Sequence, residues 1–535
     1  MVILTIWMRY DIIKIKSEVF VMKKIVGLIL VLSLVFSLFA CAATAGGKHS
    51  ADMGGANYSD SAMAPGFDDA GSLDGEGYTE IVENGFINTA DNNTSYFSID
   101  ANTASYPNLR SIIKGGYDVP KNAVRIEEML NYFDYNYKSP EGEDILALNA
   151  SIIDTPYNHE TKLMTIGLAA EEIDFSGVNN NLVFLIDVSG SMFSDDKLPL
   201  VQQAFKMLTE SLNPEDRISI VTYAGSKRIA LDGAYGFEKT KIMAVIDDLE
   251  AGGSTAGADG INSAYELAEK YFIQGGNNRV ILATDGDFNV GVSSTQGLEQ
   301  LISEKRQSGI YFSVFGVGRG NLKSDKMETL ALKGNGTYSY IDSVKEAKKA
   351  LVDGIGGSIV TVAKDVKAGI TFNPEWIESY RLIGYENKLL TEDQFNDSTT
   401  DAGELGSGHT VTVVYEIKLK DDVVLTQESA EKLAEVIIRY KPTENVGGDG
   451  EEGRELVLDV MNNVYHSNPT EQDLFIASVI EFGLILCDSE YKADANPSSL
   501  ISRLTSLDLA NDEFKAEFRD LVSSYFLTNY KINIQ

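Results

Sequence analysis

The chain of 535 residues has only two cysteines, Cys41 and Cys487, and four histidines, His49, His159, His409 and His466. No C-x-x-C and no Cys/His cluster occurs, which excludes zinc sites and dithiol chemistry built on those spacings. A P-loop and a His-Glu-x-x-His are also lacking. Gly316-Val-Gly318-Arg-Gly320 stops short of G-x-G-x-x-G because position 321 is Asn. Positive charge is scarce: 45 Lys and Arg face 79 Asp and Glu, for a formal net charge of −34. That balance argues against a nucleic-acid partner and against an electrostatic grip on anionic lipid.

The N-terminus carries a long apolar run. Ile25–Phe39 is interrupted only by Gly27, Ser33 and Ser37. It is shorter than the ~20 residues a spanning helix needs. With Met22-Lys23-Lys24 ahead of it, the run reads as the core of a secretory signal. Leu38-Phe39-Ala40-Cys41 follows, and it resembles a bacterial lipobox. That resemblance implies lipid on Cys41 after cleavage, and a protein anchored to the cell membrane on its extracytoplasmic side. Residues 1–41 are then the signal, and Met22 is the expected true start, since Met1–Val21 is unlike an export signal. With Cys41 acylated, no disulfide can form within the chain. Cys487, in an apolar helical stretch, reads as a small hydrophobe. Residues 42–90 hold nine glycines, eight Asp or Glu and one lysine, and read as a flexible acidic tether.

The chemistry lies further on. Asn181-Leu-Val-Phe-Leu-Ile-Asp187-Val-Ser189-Gly-Ser191 is an apolar, β-prone stretch ending on an aspartate, followed by hydroxyls at alternate positions. Gly252-Gly-Ser-Thr255 offers another hydroxyl on a flexible loop. Arg279-Val-Ile-Leu-Ala-Thr-Asp285-Gly286 ends a second apolar strand on a second aspartate. Two carboxylates with three neutral hydroxyls suit a hard divalent cation, chiefly Mg²⁺, with Mn²⁺ or Ca²⁺ as relatives.

These three loops have the pattern of a metal-ion-dependent adhesion site (MIDAS), and from about Asn181 to Gly354 the chain resembles the von Willebrand factor type A family. The resemblance implies that Asp187, Ser189, Ser191, Thr255 and Asp285 hold the metal, the hydroxyls directly and the aspartates partly through water. It also implies protein–protein interaction through a partner's carboxylate at a vacant metal position. The second-loop hydroxyl changes between direct and water-mediated contact in that family.

Periodicity supports the fold. Strands are predicted at Leu182–Ile186, Ile218–Tyr223, Val280–Ala283 and Ile310–Val317, with amphipathic helices at Leu198–Leu212, Ile261–Tyr271, Leu298–Lys305 and Lys323–Leu332. The alternation predicts an α/β class: a doubly wound, mainly parallel, Rossmann-like type A domain over 181–355. Ligands of such sheets bind beyond the carboxyl ends of the strands. Residues 91–180 form an N-terminal associated region with a helical pattern at Arg125–Phe133 and strands at Ile145–Ile153 and Leu163–Ala169. Residues 356–535 read as β-rich, then helical, with strands at Val360–Phe372, Thr410–Leu419, Ala434–Tyr440 and Glu455–Val460. Helices follow at Thr470–Cys487, Pro497–Leu507 and Asp512–Tyr525. Both flanks resemble those of one bacterial lipoprotein family with a type A domain, the last part being its uncharacterised C-terminal domain. Neither flank alone forms a well-covered sheet, so the type A domain is expected as an insertion, with flanking strands pairing across it.

Competing motifs fail on their residues. Asp285-Gly-Asp287-Phe-Asn289 begins like an EF-hand, but Val290 and Gln296 stand where Gly and Glu are needed. Gly252-Gly-Ser254-Thr-Ala256 lacks the last glycine of a nucleophile elbow. Asp195-Asp196 suits a helix start better than a second metal. No nucleophile has a paired base, so an enzyme is not expected; a metal-assisted hydrolase has only Asp287 as a base. The expected function is that of an envelope lipoprotein binding a partner protein. The alternative is a scaffold or assembly factor with a structural metal.

Overall fold

A computed structural model describes residues 76–99, 101–173, 177–224, 226–253, 258–286, 295–353, 361–426, 430–443, 446–448, 450 and 452–530. The N-terminal flank runs β1 (Ile87–Asn88), β2 (Thr94–Ser98), α1 (Ser105–Lys114), α2 (Ile126–Asn131), β3 (Leu146–Asp154) and β4 (Lys162–Ala170). The middle segment begins β5 (Asn180–Asp187), α3 (Leu198–Ser211), β6 (Arg217–Ala224), β7 (Ser226–Tyr235), α4 (Lys239–Asp247) and α5 (Ala258–Lys270). It continues β8 (Asn277–Thr284), α6 (Thr295–Arg306), β9 (Ile310–Val317), α7 (Ser324–Lys333), β10 (Tyr338–Ile341) and α8 (Val344–Ala347). The C-terminal flank begins β11 (Thr361–Phe372), β12 (Ile377–Ile383), α9 (Glu392–Asn396), β13 (Gly403–Gly406) and β14 (Thr410–Leu419). It ends β15 (Lys432–Pro442), β16 (Arg454–Met461), α10 (Glu471–Leu486), α11 (Pro497–Ser506) and α12 (Glu513–Tyr530).

The middle segment is the expected α/β domain. Its sheet has the order β10-β9-β8-β5-β6-β7. All pairings are parallel except β6 with β7. Unbroken apolar runs suit such strands because both faces are covered. Val183, Leu185 and Val280 pack on α5 and α6, while Phe184, Ile186 and Ile281 pack on α3 and α4. The chain winds outward in both directions from β5 and β8, so their shared carboxyl end is the topological switch point. The edge strands β7 and β10 were not expected: the first is only weakly apolar, and the second has four residues.

The flanks form one body, and the α/β domain is inserted into it. β4 pairs antiparallel with β14 from Lys162↔Ile417 to Ala169↔Thr410. β2 pairs with the second half of β11. The sheets β1-β12-β14-β4-β3 and β13-β11-β15-β16 share one core, where Ile166 and Val413 of the first meet Ala368 and Val436 of the second. α10, α11 and α12 pack with α1 and α2 around Met129, Phe133, Phe475, Ile480 and Phe518. Cys487, a free thiol at the end of α10, is packed against this core, and burial raises its pKa to about 12. Among the described residues, no helix is long and apolar enough to cross a membrane.

The expected tether needs correction over its last part. Residues 42–75 lie outside the described residues, but 76–90 pack against the body. Gly77 N donates to Leu322 O (2.9 Å), Asn84 Nδ2 donates to Gly384 O (2.8 Å), and β1 pairs with β12. Backbone and amide hydrogen bonds hold this stretch, and they leave no trace in a composition poor in apolar residues.

Candidate metal site

Asp187 is the last residue of β5 and is fully buried. The backbone N–H of Ser189 donates to its Oδ1 (2.8 Å), turning the chain sharply after the strand. Its Oδ2 accepts from the Tyr223 and Thr284 hydroxyls, each at 3.2 Å. Burial foremost holds the Asp187 carboxyl above the ordinary carboxylate range. The Ser189 hydrogen bonds oppose that shift, and the charge of Asp285 adds to it.

The first loop then makes a short 3-10 turn, Gly190–Phe193. Ser189 is buried and Ser191 is exposed, with their hydroxyls 3.0 Å apart. The site thus opens to solvent at Ser191, beside Phe193, whose side chain is 81% exposed. The second loop is tied to the first by Gly252 N to Val188 O (2.7 Å) and Gly190 N to Gly253 O (3.1 Å). Gly253 takes φ +89°, a conformation that favours glycine. Thr255 lies outside the described residues, as do Asp287, the one candidate base, and Cys41.

Asp285 follows directly after β8 and is almost wholly buried. Gly286 behind it has φ +112°, and a Cβ there would sit 2.2 Å from Asn321 O, so the turn requires glycine. Asp285 Oδ2 accepts from Lys197 Nζ at 2.8 Å. Asp285 Oδ1 has no hydrogen-bond partner among the described residues. A buried carboxylate oxygen without a donor is costly unless something electropositive faces it.

The structure therefore brings Asp187, Ser189, Ser191 and Asp285 to one end of the sheet. Tyr223, Thr284 and Lys197 join them, none of which stood out in the sequence. Thr284 had a faint signal, a hydroxyl on the strand end next to Asp285. Lys197 had none. No group of three or more His, Cys, Asp or Glu converges among the described residues, so a metal here depends on hydroxyl ligands. Two carboxylates, two described hydroxyls and the unpartnered Asp285 Oδ1 fit a hard divalent cation. Asp196 accepts from the Ser194 hydroxyl and lies 3.6 Å from Arg319, as befits a solvated helix approach.

A cleft of about 870 Å³ lies beside the edge strand β10, between the inserted domain and the two-sheet body. Asn335 and Thr337, just before β10, line it together with Lys349, Glu404 and His409. Burial pushes Glu404 up to about 7, His409 down to about 4 and Lys349 down to about 8.

Residues 181–353 match the von Willebrand factor type A domain family, and residues 72–165 match a family described as von Willebrand factor. Residues 357–526 match the family described as the C-terminal part of uncharacterized protein YfbK. Uncharacterized protein YfbK of Escherichia coli (strain K12) is 38% identical over 435 residues, spanning 77% of this chain and 74% of the relative. Uncharacterized protein sll0103 of Synechocystis is 26% identical over 170 residues, 31% of this chain and 39% of that one. Among solved structures, von Willebrand factor type A from Catenulispora acidiphila aligns over 75% of this chain and 89% of its own, at 14% identity and a TM-score of 0.36.

Proposed function

Because the chain belongs to the YfbK family of proteins with a von Willebrand factor type A domain, we propose that it is an exported, lipid-anchored binding protein that captures a partner protein through its three loops. A type A domain points to protein–protein interaction or assembly, and the family it defines is generally non-enzymatic. One observation carries the finer reading. Asp187 and Asp285 stand at the ends of adjacent strands, with the hydroxyls of Ser189 and Ser191 beside them and Asp285 Oδ1 buried without a donor.

Asp187, Ser189, Ser191, Thr255 and Asp285 are the residues that would hold Mg²⁺, or Mn²⁺ or Ca²⁺ in its place. Such an ion supplies an electrophilic position for a partner's carboxylate. The chain's own residues do the rest. The Tyr223 and Thr284 hydroxyls orient Asp187, the Val188–Gly252 and Gly190–Gly253 hydrogen bonds align two loops, and exposed Phe193 offers an apolar contact beside the opening. Lipid on Cys41 places the site at the membrane surface.

Pull-down from envelope extracts tests the reading. Wild type should retain a partner in Mg²⁺ or Mn²⁺ and release it in EDTA, and Asp187→Ala should fail to retain it in either. Undiminished capture by folded Asp187→Ala in EDTA would refute metal-bridged binding. Metabolic labelling with a fatty-acid analogue should mark wild type and not Cys41→Ala; equal labelling would end the anchoring proposal. A second reading, an assembly factor whose metal mainly holds the loops, is favoured by the buried joint at Arg110, which ties the inserted domain to both flanks. Capture that persists in EDTA would favour it.

A further inference from the structure

Lys197 follows the first metal loop and lies just before α3, and its side chain turns back into the site. The ammonium donates to Asp285 Oδ2 at 2.8 Å and to the Ser191 carbonyl at 3.0 Å. Its side chain is 11% exposed and that of Asp285 is 0% exposed, so water screens the pair poorly. The stem lies along Gly318, which takes φ +70°; a Cβ there would sit 2.4 Å from both Lys197 Cγ and Cε. Only glycine leaves the lysine that path. The nearby Arg319 lies 3.6 Å from Asp196 instead.

We infer that Lys197 is a fixed charge built into the metal site, which weakens binding of a cation alone and makes cation and acidic ligand bind cooperatively. The inference rests on the metal-site reading proposed above. Its basis is the charge count. Asp187 and Asp285 carry two negative charges, and the Lys197 ammonium leaves one. The empty site then attracts a divalent cation less strongly than two free carboxylates would, and the loaded site is left net positive, which attracts an incoming carboxylate. Without the ammonium the same cation only neutralises the site, and a carboxylate gains its coordination to the ion without the added attraction of a net positive charge. The coupling is reciprocal: by whatever factor the bound cation tightens binding of the acidic group, the acidic group tightens binding of the cation.

The test uses the full chain and Mn²⁺, titrated by calorimetry with and without acetate as the carboxylate probe. Lys197→Met and Lys197→Gln should bind Mn²⁺ at least ten-fold more tightly than wild type. Acetate should tighten Mn²⁺ binding several-fold in wild type and by a clearly smaller factor in either variant. Lys197→Gln keeps a hydrogen-bond donor, so it serves if the apolar variant fails to fold, and Lys197→Arg should behave as wild type. Equal Mn²⁺ affinity in wild type and the neutral variants, with Asp187→Ala still abolishing binding, would overturn the role of Lys197 and leave the metal site standing. If neither wild type nor any Lys197 variant binds Mn²⁺, the metal-site reading fails, and this inference fails with it.

Discussion

Glu404 and His409 line one cleft and titrate in opposite senses. Burial is the main cause of the rise of Glu404 to about 7; Lys364, the Thr361 hydroxyl and Arg306 oppose it, and Asp401 adds to it. The carboxyl holds its proton more tightly in the native protein than in the unfolded chain. Its stabilising contribution is therefore present below about pH 4.5 and is lost as pH rises through about 7. Glu404→Gln preserves the uncharged shape. It should raise stability by about 3 kcal/mol at pH 8 and change little near pH 4.5, in urea unfolding followed at both pH values. An equal effect at both would show that ionisation is not the cause. His409 runs the other way. Its Nδ1 accepts from Gly406 N (3.2 Å), which requires the tautomer with hydrogen on Nε2. Its pKa is depressed to about 4, so stability from the neutral ring is present above about 6.5 and is lost as pH falls through 4.

Among the elements, α1 does most to join the parts. Arg110, 1% exposed, donates Nε and Nη2 to the two Asp342 oxygens at 2.7 and 2.6 Å. It also reaches Glu346 of α8 at 2.7 Å, Glu517 of α12 at 3.1 Å and the Tyr132 hydroxyl at 3.1 Å. One guanidinium thus spans the N-terminal flank, the end of the inserted domain and the last helix. Arg110→Met would strand Asp342 and Glu346 in a buried place, a loss of about 3–5 kcal/mol. Glu517 is partly exposed and has Lys114 and Lys345 beside it, so Glu517→Gln should cost under about 1 kcal/mol. Chemical denaturation of both variants checks the contrast; similar losses would mean that the joint is not organised around Asp342 and Glu346.

At the scale of the molecule, the insertion leaves its ends near one turn. Ala170 N donates to His409 O (2.9 Å) and Gly408 N donates to Glu171 O (2.9 Å), while Thr361 pairs with Gly406. The chain therefore leaves β4 and re-enters at β11 on either side of the β13–β14 turn. Replacing residues 178–354 with a short glycine-serine linker should leave a folded β-sandwich with its helical cap, less stable because Arg110 loses Asp342 and Glu346. The excised domain has its own core on each face of its sheet and should fold by itself. Circular dichroism and limited proteolysis of the two pieces are the measurement; an unfolded sandwich would show that the body needs the insert.

Local pattern by itself determined much of this protein. Strands buried on both faces had to be apolar runs, and helices covering them had to repeat every three or four residues. Hence β5, β8 and β9 and helices α3, α5 and α10 were legible within a residue or a few. That Asp187, Ser189 and Ser191 stand together was legible because they share one short loop at a strand end, and the placing of Asp285 was legible because it stands at the end of a second apolar strand. The insertion was legible too, since too few strands lay on either side to cover a sheet alone. Tertiary structure decided what no short window contains. Lys197 meets Asp285 across 88 positions and Arg110 meets Glu517 across 407. At such separations one lysine or arginine looks like any other on or beside a helix. The short strands β1, β10 and β13 were likewise set by their partners, because two to four residues carry too little periodicity to declare themselves. Glu404, His409 and Lys349 have shifted pKa values only because the sandwich and the inserted domain close over them, and closeness in space is a property of the packed chain alone.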